Sequence, residues 1–489
     1  MRNLVQLSEI EGFKIEEVKQ FEDRDRDRPD FDHRYLKILY FFIKEGIIST
    51  LRKYYAHKQE QIRYLTFLKV LHAGNIYLNI SVQSQTNSSD FVISNEFYPF
   101  VEIEYEGIQE KLELYLERFN QFADQAGYEL FKIKTDTPFS FNLKSQTYKE
   151  QFDQGLFIYG LGGYVNMFIM HHFKKFKKIA CVDYKAKVSR AFQEKFGFRH
   201  SFLVPRDSYQ ILQQTKRPIV IIAAYHSDHA TLAEEIHNTN PDTQIFIEKP
   251  PTVTLEDLGK LTNLYRKGAA LHMGFNRRFI PWSKDVRDLV KGQIMVVTCS
   301  VKEVLISSNH WYFWENQGTR VTGNVVHWFD LANYWIESKP EEINVIASPD
   351  NLESSAISVL YRNGSVLNIT ASDRGNSLRG VQEKIEVRFG NETIFIDDFT
   401  SFVHLKSNGV MRKRRRLHRD KGHSRMYGDF SRIVNGQMRP EYPVTDLINT
   451  SVVTYYASKI LREGTRSVNI GEVIDKYHSA MINQDTIAE

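Results

Sequence analysis

The chain has 489 residues, 42% of them hydrophobic and 25% charged, and this length predicts two or three globular domains. A net charge of +4 is too small to indicate a nucleic-acid or membrane partner, and we expect neither. Two cysteines, Cys181 and Cys299, exclude a disulfide framework and a cysteine-based zinc site. Since no secretory signal or membrane-spanning run is found, we expect a cytoplasmic protein without a metal.

Residues 1–150 form the first predicted unit, a small α+β domain of unknown role. A helical pattern covers residues 31–57, and apolar runs at 64–71 and 75–82 are typical of strands. Residues 107–127 have the pattern of an amphipathic helix that ends at a glycine. We find no motif in this unit that carries recognisable chemistry.

Residues 151–275 alternate apolar runs with helical patterns. This alternation predicts a parallel sheet with helices on both faces, the architecture of a Rossmann dinucleotide-binding domain in an α/β fold. The predicted strands are 156–159, 178–183, 218–224, 243–248 and 269–274, and the predicted helices are 185–196, 229–238 and 255–267.

Residues 276–489 are β-rich, and the turn pair Asn363-Gly364 is a strong hairpin signal. We therefore predict an α+β domain with a large, mostly antiparallel sheet. The predicted strands are 294–306, 342–347, 356–361, 365–371, 383–389 and 393–397, and helices are expected at 444–462 and 472–482.

A glycine-rich turn, Gly160-Leu-Gly162-Gly163-Tyr-Val165, follows the first strand of the second unit. Gly160 allows a tight turn, and Gly162 lets the backbone approach a pyrophosphate at a helix N-terminus. Asp183 ends the next strand, where a carboxylate accepts hydrogen bonds from ribose hydroxyls and repels a 2′-phosphate. The pattern predicts an NAD site, and the alternative is a surface aspartate in a turn.

Two further motifs carry groups suited to proton chemistry. Glu248-Lys249-Pro250 closes the fourth strand, at the sheet edge where ligands of such folds bind. His327 precedes Asp330 by three residues, and an imidazole can accept a hydroxyl proton near neutral pH. Taken singly, a surface Glu-Lys pair and a core histidine are the better interpretations.

The motifs occur in one order along the chain, and the ordered set is far more specific than any member. It resembles the Gfo/Idh/MocA oxidoreductases (glucose–fructose oxidoreductase and inositol dehydrogenase relatives) over residues 155–465, and this resemblance favours a functional His327. The matching residues are Gly160, Gly162, Gly163, Asp183, Glu248, Lys249, Pro250, Gly274, Phe275, Asn276, Arg277, Arg278, Phe279, Gly323, His327 and Asp330.

The resemblance implies hydride exchange between nicotinamide and a sugar-like substrate, nucleotide-linked sugars included, in a homo-oligomer. It also implies that the domain at 276–489 binds the substrate and mediates oligomerisation. Lys249 would orient the substrate and His327 would be the general base. The cofactor NAD would contact Gly160, Gly162, Gly163, Tyr164, Asp183, Tyr225, His226, His229, Glu248 and Asn276. The substrate would contact Lys249, Arg277, Arg320, Asn324 and His327.

One departure from the family pattern is Gly323, since many members carry an aspartate four residues before the histidine. The missing carboxylate removes one electrostatic partner of His327. Two alternatives to a dehydrogenase therefore stay open. One is an NAD-dependent glycoside hydrolase of the same superfamily, and the other is a non-catalytic NAD-binding regulatory or scaffold protein.

Two unusual runs remain. The basic run at 412–425 is either a solvated hairpin end or a site that attracts a phosphorylated substrate such as a nucleotide sugar. Nucleic acid is disfavoured there because no aromatic residues interleave with the cations. The aromatic patch at 310–314 either stacks on a sugar ring or nucleobase, or belongs to the core or a subunit contact.

Overall fold

The computed structural model describes residues 152–482 apart from 184–185, 203, 305, 307–311, 313–314, 349–350, 376–379, 439–441 and 465–466. Earlier in the chain it describes four strands and the short pieces 42–43, 46–47 and 50–51. These residues form three β-sheets, and the predicted α/β fold class is confirmed.

The first sheet has four antiparallel strands in chain order: β1 Phe13–Glu22, β2 Tyr64–His72, β3 Ile76–Ser84 and β4 Phe91–Pro99. Strands β2 and β3 match the strands predicted at 64–71 and 75–82, whereas β1 and β4 have no predicted counterpart. A register shift between Ile15 and Glu17 interrupts the alternation of β1, so its sequence lacks a clean strand pattern. The helix predicted at 107–127 lies outside the described residues.

The second sheet is the predicted Rossmann sheet, with six parallel strands in the order β10-β9-β8-β5-β6-β7. Its central strands are apolar over most of their length because helices cover both faces. The strands are β5 Phe152–Tyr159, β6 Lys178–Val182, β7 His200–Phe202, β8 Thr215–Ile222, β9 Gln244–Ile247 and β10 Ala270–Met273.

Four helices accompany this sheet: α1 Ala186–Phe196, α2 Tyr209–Gln214, α3 His229–Thr239 and α4 Leu255–Arg266. The three predicted helices correspond to α1, α3 and α4. Helix α4 begins where Thr254 and Asp257 cap each other reciprocally. The short elements β7 and α2 were not predicted, and a π-helical turn at Val165–Ile169 stands where a full helix was expected after the glycine turn.

The third sheet has nine strands in the order β18-β17-β16-β15-β11-β14-β13-β12-β19, with β11 and β14 parallel and the other pairs antiparallel. This confirms the predicted large, mostly antiparallel sheet. The strands are β11 Met295–Lys302, β12 Pro340–Ser348, β13 Asn351–Tyr361, β14 Val366–Ser372, β15 Gln382–Phe389, β16 Glu392–Asp397, β17 Ser401–Leu405, β18 Met411–Arg415 and β19 Ser467–Asn469.

Residues along β11 are alternately buried and exposed, so one face of this sheet is covered. The helices of this part are α5 Ser283–Val290, α6 Val326–Ile336, α7 His423–Val434, α8 Val444–Glu463 and α9 Gly471–Ile482. Helices α6 and α8 pack against each other, and α8 contacts β12. Helices α8 and α9 match the predictions at 444–462 and 472–482.

Helix α7 was not predicted, and it returns from the nine-stranded sheet to the Rossmann sheet. Its buried residues Met426, Tyr427 and Phe430 share one hydrophobic cluster with residues of β5 and β8. The ring of Phe430 packs, tilted, against that of Phe246 of β9, with 5.0 Å between the ring centroids. Helix α7 therefore packs on the Rossmann sheet, and its N-terminal part lies at the carboxyl end of β9, next to Glu248.

Both cysteines are unpaired and buried, in agreement with the absence of a disulfide framework. Among the described residues, no helix combines the length and hydropathy needed to cross a membrane.

Candidate functional site

The glycine turn begins at Gly160, which has a φ of +85°. A Cβ at this position would lie 2.4 Å from the carbonyl oxygen of Ala223, so the turn requires glycine. Gly162 is exposed, and an added Cβ there would have no heavy atom within 4 Å. Val165, which replaces the usual third small residue, is 1% exposed and fits into the core.

Asp183 follows β6 beside this turn. Its Oδ2 accepts a hydrogen bond of 2.9 Å from the backbone N–H of Leu161, and this contact holds the carboxylate next to the glycines. A turn with open space above Gly162 and an adjacent fixed carboxylate fits the diphosphate and ribose of a dinucleotide. Gly160, Gly162 and Asp183 are therefore brought together as predicted from the sequence.

The segment after β8 contains three predicted cofactor contacts, Tyr225, His226 and His229, and they differ in burial and in their partners. Tyr225 is half-buried, while His226 is buried with its Nδ1 3.3 Å from the carbonyl oxygen of Gln317. The ring nitrogens of His229 lie 2.8 Å from the carbonyl oxygen of Pro250 and 3.1 Å from that of Ala224. His229 therefore joins the loops that follow β8 and β9, and its side chain does not line the central cavity.

Glu248 is 4% exposed and forms part of a buried chain of polar groups. The Tyr427 hydroxyl donates to Oε1 of Glu248, and it lies 3.1 Å from the Tyr164 hydroxyl. Burial raises the pKa of Glu248 to about 7, opposed by the hydrogen bond from Tyr427. The chain links the Glu-Lys-Pro motif to α7 and, through Tyr164, to the glycine turn.

Lys249 projects towards the π-helical turn Val321–Val325, and its Nζ donates a 2.6 Å hydrogen bond to the carbonyl oxygen of Gly323. A Cβ at residue 323 would lie 2.8 Å from the Tyr312 ring. The Tyr312 ring thus occupies the space that a Cβ at residue 323 would need, which explains why this residue is glycine. The Lys249 ammonium therefore has the backbone carbonyl of Gly323 as its partner, in place of the carboxylate that the family pattern implies at this position.

His327 lies at the start of α6 and is 4% exposed. Its Nδ1 is buried without a hydrogen-bond partner among the described residues. Burial, reinforced by the charges of Arg277 and Lys249, holds the pKa of His327 well below its usual value. The imidazole is therefore neutral near pH 7 and can accept a proton.

Asp330, the second member of the His-x-x-Asp motif, is used elsewhere. Both of its oxygens bind Arg278 at 2.6 and 2.7 Å, and Oδ1 also accepts from the Tyr442 hydroxyl at 2.9 Å. Arg278 continues to Asp446 at 2.7 Å. This buried network of Asp330, Arg278 and Asp446 joins α6 to the first turn of α8, and it has a structural role.

Of the predicted substrate contacts Arg277, Asn324 and Arg320, the first two line the cavity and the third does not. Arg277 binds Glu383 through Nε and Nη2 at 2.7 and 2.6 Å and still lines the cavity. Asn324 lines it too, while its amide donates to Glu303. Arg320 lies 3.4 Å from Glu303 and is 3% exposed, outside the residues that line the cavity.

Asn276, a predicted cofactor contact, is 1% exposed. Its Nδ2 donates a 2.6 Å hydrogen bond to the carbonyl oxygen of Lys421 and lies 3.2 Å from Nε2 of His423. The amide fixes the loop that leads into α7. It therefore acts on the site through Lys421 and His423.

The cavity that unites these groups has a volume of about 610 Å³. It contains Tyr164 from the glycine turn, together with Lys249 and His327, so the two predicted catalytic side chains share one space. The remaining lining residues are Met167, Phe168, His171, Arg277, Val304, Asn324, Gly380, Val381, Arg416, His418, Arg419, Asp420, Lys421, His423 and Ser424.

One wall of this cavity consists of residues that the sequence alone does not place at the site. Residues 416–424 contribute several cations and His423, whose ring stacks 4.8 Å from that of Phe168. The basic run was the available signal, but its first part is the exposed edge strand β18 and only its last part reaches the cavity. Of the aromatic patch 310–314, Tyr312 alone is described, and its ring packs 5.1 Å from that of His226.

Comparison with known proteins agrees with this geometry. Residues 156–275 match the GFO_IDH_MocA model, described as an oxidoreductase family with an NAD-binding Rossmann fold. The Bacillus subtilis oxidoreductase YteT is 25% identical over 148 residues, which cover 28% of this chain and 34% of that protein. YrbE of the same organism is 23% identical over 205 residues, covering 39% and 58%. The aligned segments thus span less than two thirds of each relative.

Solved structures share the fold. A probable dehydrogenase from Thermotoga maritima is 20% identical with a TM-score of 0.53, and the match covers 65% of this chain and 99% of that one. A levoglucosan dehydrogenase solved with NADH and levoglucosan is 14% identical with a TM-score of 0.55 and the same coverage. Fold and site define a Rossmann-type dinucleotide-binding domain joined to a domain with a large, mostly antiparallel sheet. The chain carries the NAD-binding module of the Gfo/Idh/MocA family, and NAD is the cofactor of that module.

Proposed function

We propose that this protein is an NAD-dependent dehydrogenase or reductase that transfers hydride between nicotinamide and a hydroxyl or carbonyl carbon of a sugar-like substrate. The observation that carries the proposal is the shared cavity of Lys249 and His327 beside Tyr164 of the glycine turn. Two solved neighbours support the substrate class by their names, levoglucosan dehydrogenase and an aldose-aldose oxidoreductase from Caulobacter crescentus.

The cofactor would be held by the glycine turn and Asp183. The backbone at Gly162 would receive the phosphates, Asp183 would accept from ribose hydroxyls, and Tyr164 would lie at the cavity end of the site. Gly163, Tyr225, His226 and Glu248 complete the proposed set as neighbours of these groups. His229 and Asn276 would act indirectly, because their side chains are bound to loop carbonyls.

The chain's own proton chemistry would centre on His327. NAD, when bound, supplies the hydride acceptor or donor. The neutral imidazole of His327 would take the proton of the substrate hydroxyl during oxidation and return it during reduction. Lys249 would donate a hydrogen bond to the same substrate oxygen, with its ammonium oriented by the Gly323 carbonyl. Arg277 and Asn324 would contact the rest of the substrate, and Arg320 would support Asn324 through Glu303.

The proposal is tested by Lys249→Ala. Turnover should fall by at least about 100-fold, since one donor to the reacting oxygen is lost, while the dissociation constant for NADH, measured by nicotinamide fluorescence, should change little. Lys459→Ala on α8 is the matched control, because this lysine is 45% exposed. Full turnover of Lys249→Ala would refute the role of the lysine.

The first screen uses NADH, NADPH and a panel of sugars and nucleotide sugars. Stoichiometric formation of NADH from NAD supports a dehydrogenase. Steady product formation without net NADH would support the glycoside hydrolase alternative, and NADH binding without any turnover would support a regulatory or scaffold protein.

We further propose three units at 1–150, 151–275 and 276–489, a homo-oligomer and a cytoplasmic location. The boundary at 275 is supported by the step from the parallel to the mostly antiparallel sheet, although α7 packs back across it. The reducing compartment is supported by the two free, buried cysteines. The oligomer is supported by apolar side chains on the outer face of the nine-stranded sheet, among them Val296 and Leu360.

A further inference from the structure

We propose that the substrate of this cavity carries an anionic group, a phosphate or a carboxylate, and that Lys421 and Arg277 bind that group side by side. This inference rests on the proposed function, since it names the class of substrate that the site would accept. Two observations support the proposal: the distribution of charge around the cavity, and the geometry of the Glu383 carboxylate that both cations share.

The charged residues that line the cavity are almost all cations. Asp420 is the one acidic residue among the described lining residues, and it is 3.6 Å from Arg416. The lysines and arginines of the lining are Lys249, Arg277, Arg416, Arg419 and Lys421. An enclosed space with walls of one sign concentrates ligands of the opposite sign.

The carboxylates that pair with these cations are too few to neutralise them. Arg419 is matched by Asp398 at 3.1 Å, and Arg416 by Asp420. Arg277 and Lys421, in contrast, share the single carboxylate of Glu383, at 2.6 and 2.9 Å from the same oxygen. Lys249 has a neutral carbonyl as its partner. Among the described residues, the five cations of the lining outnumber the three carboxylates of Asp398, Asp420 and Glu383, so this part of the lining is positively charged.

The shared carboxylate also fixes the direction of the two cations. Glu383 is fully buried and takes Nε and Nη2 of Arg277, so Nη1 of the guanidinium is not used in this pair. The side chain of Lys421 is 20% exposed and borders the cavity next to Arg277. Two cations held about one carboxylate form a preorganised pair of donors for the oxygens of an anion.

The surplus charge lies apart from the proposed phosphate site of the cofactor. That site is the backbone around Gly162, and of the glycine turn only Tyr164 lines the cavity. Lys421 and Arg277 instead accompany Lys249 and His327, at the reacting end. Burial beside Arg277 and Arg419 lowers the pKa of Lys421 to about 8, although Glu383 opposes this shift, so a bound anion would relieve an unfavourable cluster of charges.

The experiment uses the full chain saturated with NADH, so that the cofactor occupies its own phosphate site. Inorganic phosphate and acetate are titrated as probes of the two anion classes, and their dissociation constants are measured by calorimetry. We expect at least one probe to bind, and its affinity to fall about 10- to 100-fold in Lys421→Met, the range for loss of a charged hydrogen-bond partner. Tighter phosphate binding indicates a phosphorylated substrate, and tighter acetate binding indicates a sugar acid.

Two controls separate the possible results. Lys413→Met removes an exposed lysine of the same basic run on β18 and should leave anion binding unchanged. Lys421→Arg keeps the charge and should bind within about threefold of the native chain. Arg277 is left intact, because its removal would leave the buried Glu383 with one partner only.

Absence of binding by both probes, or unchanged binding in Lys421→Met, overturns the inference. Failure of the proposed function gives a different result: NADH itself does not bind, while anion titrations without NADH still respond to Lys421→Met.

Discussion

At the scale of single residues, two of the three glycines of the turn, Gly160 and Gly162, have different roles. Gly160→Ala places a methyl group 2.4 Å from a backbone oxygen at a positive φ, so we expect a loss of at least about 2 kcal/mol of unfolding free energy. Gly162→Ala has open space and should change stability by less than about 0.5 kcal/mol. It should nevertheless weaken NADH binding at least about tenfold, because in the proposed site the backbone at Gly162 receives the cofactor phosphates.

Urea unfolding and NADH fluorescence measure the two effects separately. Native affinity for NADH in a folded Gly162→Ala protein would show that the cofactor phosphates do not lie at this turn.

Glu248 predicts a pH dependence of stability. Because burial raises its pKa from 4.5 to about 7, the folded chain binds this proton more tightly than the unfolded chain. The contribution of Glu248 to the free energy of unfolding is therefore greatest below pH 4.5. It falls by about 2–3 kcal/mol as the pH rises to 7. Glu248→Gln should remove that part of the slope when urea unfolding is compared at pH 5 and pH 7.5 without cofactor. An identical slope in both proteins contradicts a protonated carboxyl.

At the scale of elements, α7 is the link between the core and the cavity. Phe430 is 2% exposed and packs between Phe173 and Phe246, so Phe430→Ala should cost about 3 kcal/mol of unfolding free energy. Because α7 begins with His423 and directly follows the loop that carries Lys421, turnover measured well below the melting temperature should fall as well. The exposed Arg425→Ala on the same helix is the control. If Phe430→Ala lowers the stability but leaves turnover unchanged, α7 does not position the residues of the site.

At the scale of the whole molecule, the outer face of the nine-stranded sheet carries a row of exposed apolar side chains among polar ones. Val296 pairs with Val366, which pairs with Leu360, and the side chains of Val296 and Leu360 are 37% and 41% exposed. Burial of this row between two copies predicts that Val296→Lys shifts the proposed oligomer towards monomer in sedimentation experiments. Val410→Lys changes a residue that is 51% exposed in a hairpin turn and should have no effect. A monomeric native chain would exclude this interface.

The family motifs identify which segments approach the site, but they do not say which side chains face the cavity. His327 and Lys249 face it, whereas His229 and Arg320 are bound by neighbouring groups outside it. Polar residues at the carboxyl ends of strands meet in every Rossmann sheet, yet their rotamers depend on contacts with distant loops. The bond from Asn276 to the Lys421 carbonyl spans 145 residues, a separation that no local pattern reports.

The sequence by itself determined the α/β class, the five main parallel strands, the glycine turn with Asp183 and the order of the family motifs. These features depend on local periodicity and on backbone conformations that only certain residues adopt. Tertiary structure alone decided the return of α7 to the Rossmann sheet, the pairing of Lys421 and Arg277 with Glu383, and the packing of Tyr312 on Gly323. The first two join segments far apart in the chain, and the third packs a loop residue on a turn that follows closely in the sequence. The free energy that fixes these contacts comes from burial and charge pairing in the assembled fold.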